Sequence, residues 1–366
     1  MLDICHTAGQ YEYFVGRRAV CIPPAVIPCW PVKLLHMNHL HLLIPDLFPP
    51  QDIAIDVCAG LHLPALEKLL ARGNASSFPT ETLESRLCAA FGVQAVAPVR
   101  AAADGLEAGG HYWLCADPAS LRLTTAQVLL LPDVMPSSDE AAALCACLNE
   151  HFAGMGLYFS APHPQRWYVQ AETEPQMTTT PLRQVAWGDA KLHTPQGADA
   201  LRWQRIATEA QMLLHTHPLN QVRAARGELP INSLWFWGGG RAMPLAPAID
   251  AVGGDCALLG AFAGAAGMQP VESLPAMLDG QYEKGLWVCT APGEALQRGD
   301  LYSWSEAVQR VEQQLAQPLL KALQTGRLQQ LTLEVLREDA AHRFELTRGA
   351  VWKLWRGARP LARYAV

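Results

Sequence analysis

Charge is scarce in this chain: 17% of its 366 residues are charged, against 50% hydrophobic. That balance excludes a disordered polar chain, which cannot bury enough apolar surface to offset its ordering entropy. A basic excess is missing too. The formal charge of −6 excludes general nucleic-acid binding, which needs a cationic footprint under the phosphates. No apolar run reaches the ~18 residues that cross a bilayer, so no membrane partner is expected. The 10 cysteines show no zinc or redox spacing. Cys145 and Cys147 fall on an expected helix and face different directions. Cys88, Cys115, Cys256 and Cys289 lie in apolar runs and suit small buried hydrophobes. No disulfide framework follows, and a reducing, cytoplasmic setting is expected. Internal repeats and low-complexity tracts are also lacking.

The length fits one large or two moderate domains. In the first 36 residues, Pro23, Pro24, Pro28 and Pro31 interrupt an apolar run that a signal peptide would keep unbroken. A strand follows Met37, so residues 1–36 read as an N-terminal extension outside the fold. The strand Leu40–Ile44 ends at Pro45-Asp46. This puts a carboxylate just past the carboxyl end of a first strand, where open α/β sheets bind ligands. A helix is predicted from Pro64 to a stop at Gly73, and another from Leu83 to Phe91 closed by Gly92. Further helices are predicted at Ser138–Phe152, Asp199–His215 and Ser303–Leu323, the last kinked at Pro318.

Strands are predicted from His111 to a turn at Pro118, and at Val128–Leu131, Gly156–Ser160 and Gln165–Gln170, with Gly285–Cys289 a strand or a strand–helix junction. Leu234–Trp237 is a strand broken by Gly238-Gly239-Gly240, and Leu331–Leu336 closes with Arg343–Leu346 as a β pair. Asp255–Phe262 reads as a strand or a strand–helix junction. The alternation indicates an α/β sheet protein. Residues 105–245 are denser in short strands, Pro and Trp. They read as a smaller inserted α+β cap on a core made of 37–104 and 246–366.

Two histidines, His39 and His41, share one face of the first strand. Such a pair can bind zinc, but no third ligand is evident, and a surface or packing role is preferred. Near the C-terminus Arg343, Arg348, Lys353, Arg356, Arg359 and Arg363 interleave with Trp352 and Trp355. This stretch reads as a solvated edge with both tryptophans turned inward, the alternative being a patch for an anionic partner.

Several blocks occur in a fixed order. The proline-initiated Pro64–Gly73 comes first, then Arg166-Trp167-Tyr168-Val169, then His217-Pro218-Leu219-Asn220 with Arg223, Gly227, Pro230 and Asn232, then the three glycines, then Gly254–Met268 and Ala291–Leu320. In this order, over most of Met37–Leu336, they resemble cofactor-independent phosphoglycerate mutases of the archaeal type, in the alkaline phosphatase superfamily. The whole chain looks closer still to proteobacterial proteins described as RpfE-type regulatory proteins. The resemblance implies an alkaline-phosphatase-like sheet sandwiched by helices. In active members, Asp and His side chains at strand ends hold two metal ions, and a serine carries the phosphoryl group. The cations neutralise that group and lower the serine's pKa.

Asp46 matches the first metal aspartate. The serine position falls on Leu83, between Thr82 and Ser85, and Glu84 stands for the adjacent acid. The next acid and histidine are Gly293 and Gln297, with Glu294 and Asp300 surviving nearby. Glycine offers no ligand and an amide is a poor one. The late Asp-His-x-Thr motif is replaced by Arg337-Glu338-Asp339-Ala340-Ala341-His342, and the arginine before the glycine turn by Trp237, with Arg241 just beyond.

The resemblance therefore implies a catalytically degenerate protein with a binding or regulatory role, not an enzyme, with no cofactor. The alternative is an active metal-dependent 2,3-bisphosphoglycerate-independent phosphoglycerate mutase or related phosphotransferase. It would hold two Mn or Zn ions on relocated ligands: Asp46, Glu84, Glu294, Asp300, Asp339 and some of His39, His41 and His342. Arg166, Asn220, Arg223, Asn232 and Arg241 fit a residual anion pocket for a phosphorylated small molecule, and equally fit pure structure. A protein partner is the other expectation. The glycine run would let backbone amides approach a phosphate or form a hinge between domains, and the hinge is preferred. If the alignment holds, Leu83, Asp46, Gly293 and Gln297 should meet at one end of the sheet.

Overall fold

The computed structural model describes residues 37–107 and 109–365, so the extension expected at 1–36 lies outside them. The chain opens with β1 (Met37–Leu43), α1 (Ala54–Val57), α2 (Pro64–Arg72), β2 (Asn74–Pro79), α3 (Leu83–Phe91) and α4 (Ala97–Ala103). Next come β3 (Tyr112–Leu123), β4 (Val128–Leu131), α5 (Ser138–His151), β5 (Leu157–His163) and β6 (Arg166–Ala171). The short α6 (Leu182–Val185), the long α7 (Ala200–Thr216), α8 (Pro218–Ala225) and β7 (Ser233–Arg241) follow. The last part holds β8 (Ala251–Gly254), α9 (Ala257–Ala265), α10 (Leu274–Asp279), β9 (Lys284–Val288) and α11 (Ala291–Gln297). After α12 (Leu301–Arg310) and α13 (Gln317–Thr325), β10 (Leu328–Leu336) and β11 (Ala340–Thr347) close the fold.

Two sheets result. The first has six strands in the order β2-β11-β10-β1-β9-β8. Its centre is parallel, β1 lying between β10 and β9, while at one edge β11 runs antiparallel to both of its neighbours, β10 and β2. Leu40, Leu42 and Leu43 of β1 are all buried, as a strand covered on both faces requires. One face carries α2, α12 and α13 over Leu66, Leu69, Trp304 and Leu319. The other carries α3, α4 and α9 over Leu87, Phe91 and Phe262. The second sheet is antiparallel, with β4-β3-β6-β5 in line and β7 paired to β3. Its own core packs α5 and α7 around Trp167, Trp203 and Phe159. Among the described residues no helix is long and apolar enough to cross a membrane, and seven cysteines are free.

Several local expectations need correction. Strand β7 does not break at the glycines; it runs through them and stays paired with β3 as far as Tyr112–Arg241. A Cβ at Gly239 would stand 2.5 Å from the Tyr112 hydroxyl and 2.6 Å from Leu114 Cδ2, and one at Gly240 would collide with Ala95. The glycines thus serve close packing, not a hinge. Gly73 ends α2 in an extended conformation (φ −64°, ψ 152°), not a left-handed one, pressed within 3.0 Å of the Phe344 side chain for a notional Cβ. The long C-terminal helix is continuous, but Val311–Ala316 is π-helical just before Pro318. The wider turn absorbs the proline that was expected to kink it. Strand β2 was missed because all six residues are exposed and no apolar alternation marks it. Strand β3 carries on through Pro118 to Leu123. Trp352 and Trp355 are not turned inward: they are 58% and 79% exposed.

Candidate functional site

The carboxyl ends of β1 and β9 meet the start of α3 and of α11, and there the four aligned positions converge. Asp46 sits just beyond β1 with φ +52°, its amide donating to the Leu336 carbonyl at 2.8 Å. A left-handed backbone at a non-glycine residue is uncommon and costs energy that the surroundings must over-determine. A Cβ placed on Gly293, in α11, would lie 3.0 Å from Asp46 Oδ2 and 2.9 Å from the Pro45 carbonyl. Leu83, the first residue of α3, and Gln297, the last of α11, line the same cavity as Asp46, a space of about 660 Å3. These four positions gather at one end of the sheet.

A side chain from a helix packed on the second sheet enters this place. Arg183, on α6, donates from Nη2 to Asp46 Oδ2 at 3.2 Å. Its guanidinium stands where a side chain at Gly293 would project. Gln297 Nε2 donates to the Arg183 carbonyl at 3.0 Å. Two of the substituted positions therefore hold this arginine: one leaves room for it and the other grips its backbone. Burial pushes the Asp46 carboxyl up from its ordinary value, and the charge and hydrogen bond of Arg183 only partly offset that. Burial also pushes Glu84 up, against its own backbone N–H, the Arg183 charge and the Thr82 hydroxyl. Leu83 is apolar and packs with Leu43, Leu87 and Val288, while Thr82 caps α3 by accepting from the Ser85 amide at 3.0 Å.

Tested against a pair of divalent cations, this donor set does not fit. The aspartate faces a guanidinium, the nucleophile position is a leucine in the core, and the next two positions carry no anionic or imidazole donor. The relocated candidates are engaged separately. Glu294 accepts from the Thr290 hydroxyl at 2.8 Å, within a cap that Asp255 builds on the Thr290 amide at 2.6 Å. Asp300 caps α12 through Ser303, and Asp339 pairs with Arg337 at 3.1 Å. His39 meets Thr332 at 2.8 Å, His41 meets Glu334 at 2.7 Å, and His342 meets Ser77 at 3.2 Å. Among the described residues no three His, Cys, Asp or Glu side chains are grouped to share a metal.

The anion-pocket candidates do not converge either. Asn220 clamps a loop, donating to the Leu214 and Ile231 carbonyls at 2.6 and 2.9 Å and accepting from the Ile231 amide at 2.8 Å. Arg223 is 1% exposed and paired with Glu140 at 2.8 Å and Glu228 at 3.1 Å. Asn232 holds both backbone groups of Leu121, at 2.7 and 3.0 Å. Arg241 pairs with Glu174 at 3.2 Å. Asn220 and Arg223 fasten α8 to α7, α5 and the loop before β7, while Asn232 and Arg241 join strands and loops of the second sheet. Only Arg166 of the five lines a cavity beside Leu83 and Gln297, and Asp104 binds it bidentately at 2.6 and 2.9 Å.

That second cavity, of about 530 Å3, shares Leu83, Glu84, Arg183 and Gln297 with the first and runs from α9 to the second sheet. Buried Arg100 lies on its wall, bound to Asp117 at 2.9 and 2.6 Å and stacked 5.2 Å from the Trp237 ring. A guanidinium from α4 thus stands against the Trp237 ring of β7. Sequence reasoning missed Arg183 and Arg100 alike. Each is a lone arginine among ordinary neighbours, with no motif around it.

The architecture is an α/β fold with a mixed central sheet and a second, antiparallel one. No family model matches the chain. By sequence it is nonetheless a distant homologue of archaeal-type cofactor-independent phosphoglycerate mutases, in the alkaline phosphatase superfamily. It is 26% identical over 198 residues to a 2,3-bisphosphoglycerate-independent phosphoglycerate mutase of Methanosarcina mazei, covering 49% of this chain and 48% of that one. It is 24% identical over 219 residues to the Methanosarcina barkeri enzyme of the same name, covering 52% and 54%. A probable 2,3-bisphosphoglycerate-independent phosphoglycerate mutase of Geobacter sulfurreducens matches at 33% over 70 residues, 19% of this chain and 18% of that one. The chain matches about half the length of the two Methanosarcina relatives and less of the third. Among solved structures, the PH0037 protein from Pyrococcus horikoshii shares the fold, with a TM-score of 0.52 at 13% identity over 86% of this chain and 88% of that one.

Proposed function

We propose that this protein is a catalytically degenerate phosphoglycerate-mutase-like protein that works by binding, in a regulatory role of the kind the RpfE-type resemblance suggests. One observation carries the reading: Arg183 pairs with Asp46 in the space that Gly293 leaves open, and Gln297 holds its backbone. A fixed guanidinium supplies positive charge beside Asp46 without an exchangeable ion. It cannot lower a serine's pKa as a bound cation does, and Leu83 offers no nucleophile to activate. The protein is proposed to need no metal and to reside in the cytoplasm, with a phosphorylated small molecule or a protein as its partner.

Metal analysis and a turnover assay on one clean preparation test this. We expect less than stoichiometric manganese or zinc and no interconversion of 2- and 3-phosphoglycerate, with or without added metal. Two tightly held ions per chain, or metal-dependent turnover, would sink the proposal and favour the active phosphotransferase with relocated ligands.

A further inference from the structure

We propose that the cleft between α9 and the second sheet binds an organic anion with an apolar body: a carboxylate carried on an acyl or aryl chain. The inference rests on the binding role proposed above and puts a carboxylate with an apolar tail in place of the phosphorylated small molecule named there. The cleft holds about 530 Å3, within the range that encloses a small organic molecule. Helix α9, Ala257–Ala265, contains no polar or charged side chain. A helix that is apolar all round is normally buried all round. Here Leu259, Phe262 and Ala263 enter the core, whereas Ala257, Leu258, Gly260, Ala261 and Gly264 face the cleft. A Cβ added at Gly260 or Gly264 would meet nothing within 4 Å, so that face is not covered by the protein itself.

Facing it are Leu83, Leu182, Trp187 and Trp237. Trp187 is held at φ +63°, a conformation that is a genuine outlier for so bulky a residue. Such strain concentrates at ligand clamps. The charged end of the cleft supplies the other half of the argument. Arg183 Nε is buried without a hydrogen-bond partner. Arg298, half exposed, has only a 3.9 Å contact with Asp133. Of the other carboxylates on the lining, Asp104 and Asp117 are each paired with an arginine, Arg166 and Arg100. A small, wholly polar polyanion would lose its hydration against the apolar wall for no return; a tailed monoanion satisfies both ends.

Calorimetric titration of the full chain with hexanoate, octanoate and decanoate tests the class. Affinity should tighten by about fourfold for each added methylene. Acetate, which lacks the tail, and octanol, which lacks the charge, should each bind at least about tenfold more weakly than octanoate. Ala261→Trp, which fills the cleft from α9, should weaken octanoate by roughly tenfold or more. Should that variant fail to fold, the unaltered protein still gives an answer. Cys256 lines the cleft and Cys58 does not, so saturating octanoate should slow alkylation of Cys256 by N-ethylmaleimide and leave Cys58 unchanged. A flat chain-length series, no binding, or unprotected Cys256 would overturn the proposal. A flat series on protein that is also metal-free and inactive would overturn the ligand class alone and leave the degenerate reading standing.

Discussion

Glycine at 293 is an opening that Arg183 fills. A Cβ there would meet the guanidinium, the Pro45 carbonyl and Asp46 Oδ2 at once. The two positions should therefore be coupled. Gly293→Ala alone is expected to cost about 1–3 kcal/mol by overpacking. Arg183→Ala should relieve the share of that cost that comes from the guanidinium, giving a coupling energy of about 0.5–3 kcal/mol between the two substitutions. Urea unfolding of both single variants and the double variant measures it. Costs that merely add would show that the guanidinium does not occupy that space. Asn220 and Asn232 teach the converse lesson. Their spacing resembled an anion site, yet each amide closes hydrogen bonds with backbone groups of its own lobe. Nothing local to an asparagine distinguishes a ligand contact from a loop clamp.

Among the elements, the helices were the easier to read. Apolar residues at helical spacing placed α2, α3, α5 and α7 close to their observed bounds, because periodicity reports the face that packs. The end of α2 shows what such patterns omit. Leu63 gives no side-chain cap; instead Glu312, from the π-helical turn, accepts from the Leu66 amide at 2.8 Å and the Ala65 amide at 3.0 Å. Its carboxylate satisfies orphan amides at the positive end of a helix dipole from 246 residues away. Glu312→Ala should cost about 1–2 kcal/mol, the worth of a strong N-cap. Chemical denaturation of the two proteins would check this, and an unchanged midpoint would mean that water caps α2 equally well. Strand β2 escaped notice for a related reason: an edge strand exposed at every residue carries no period-2 signal, and its pairing with β11 is visible only in three dimensions.

At the scale of the whole molecule, Glu334 joins β10 to three other elements. Its fully buried carboxylate meets His41 of β1 at 2.7 Å, Arg343 of β11 at 3.6 Å, and Arg86 of α3. Burial alone would raise its pKa, but the His41 hydrogen bond and the charges of His41, Arg86 and Arg343 outweigh burial and hold it below the ordinary value. A depressed carboxyl contributes stability that is present above its unfolded pKa and lost as pH falls through the folded one. Stability should therefore decline as pH drops below about 4.3. Glu334→Gln should be less stable at neutral pH and show a flatter acid limb. Urea unfolding from neutral to acid pH gives both curves; parallel acid limbs would remove Glu334 as a source of the acid dependence.

Many of the strands and helices and the carboxylate beyond β1 were legible in local composition, because burial periodicity and side-chain chemistry are written residue by residue; the emptied donor positions were legible only through the family resemblance. The place of Arg183 was decided only by tertiary structure. It lies 137 residues from Asp46 along the chain and reaches it because the second sheet brings α6 over the end of the first, and no local pattern encodes which distant charge arrives at a vacated pocket.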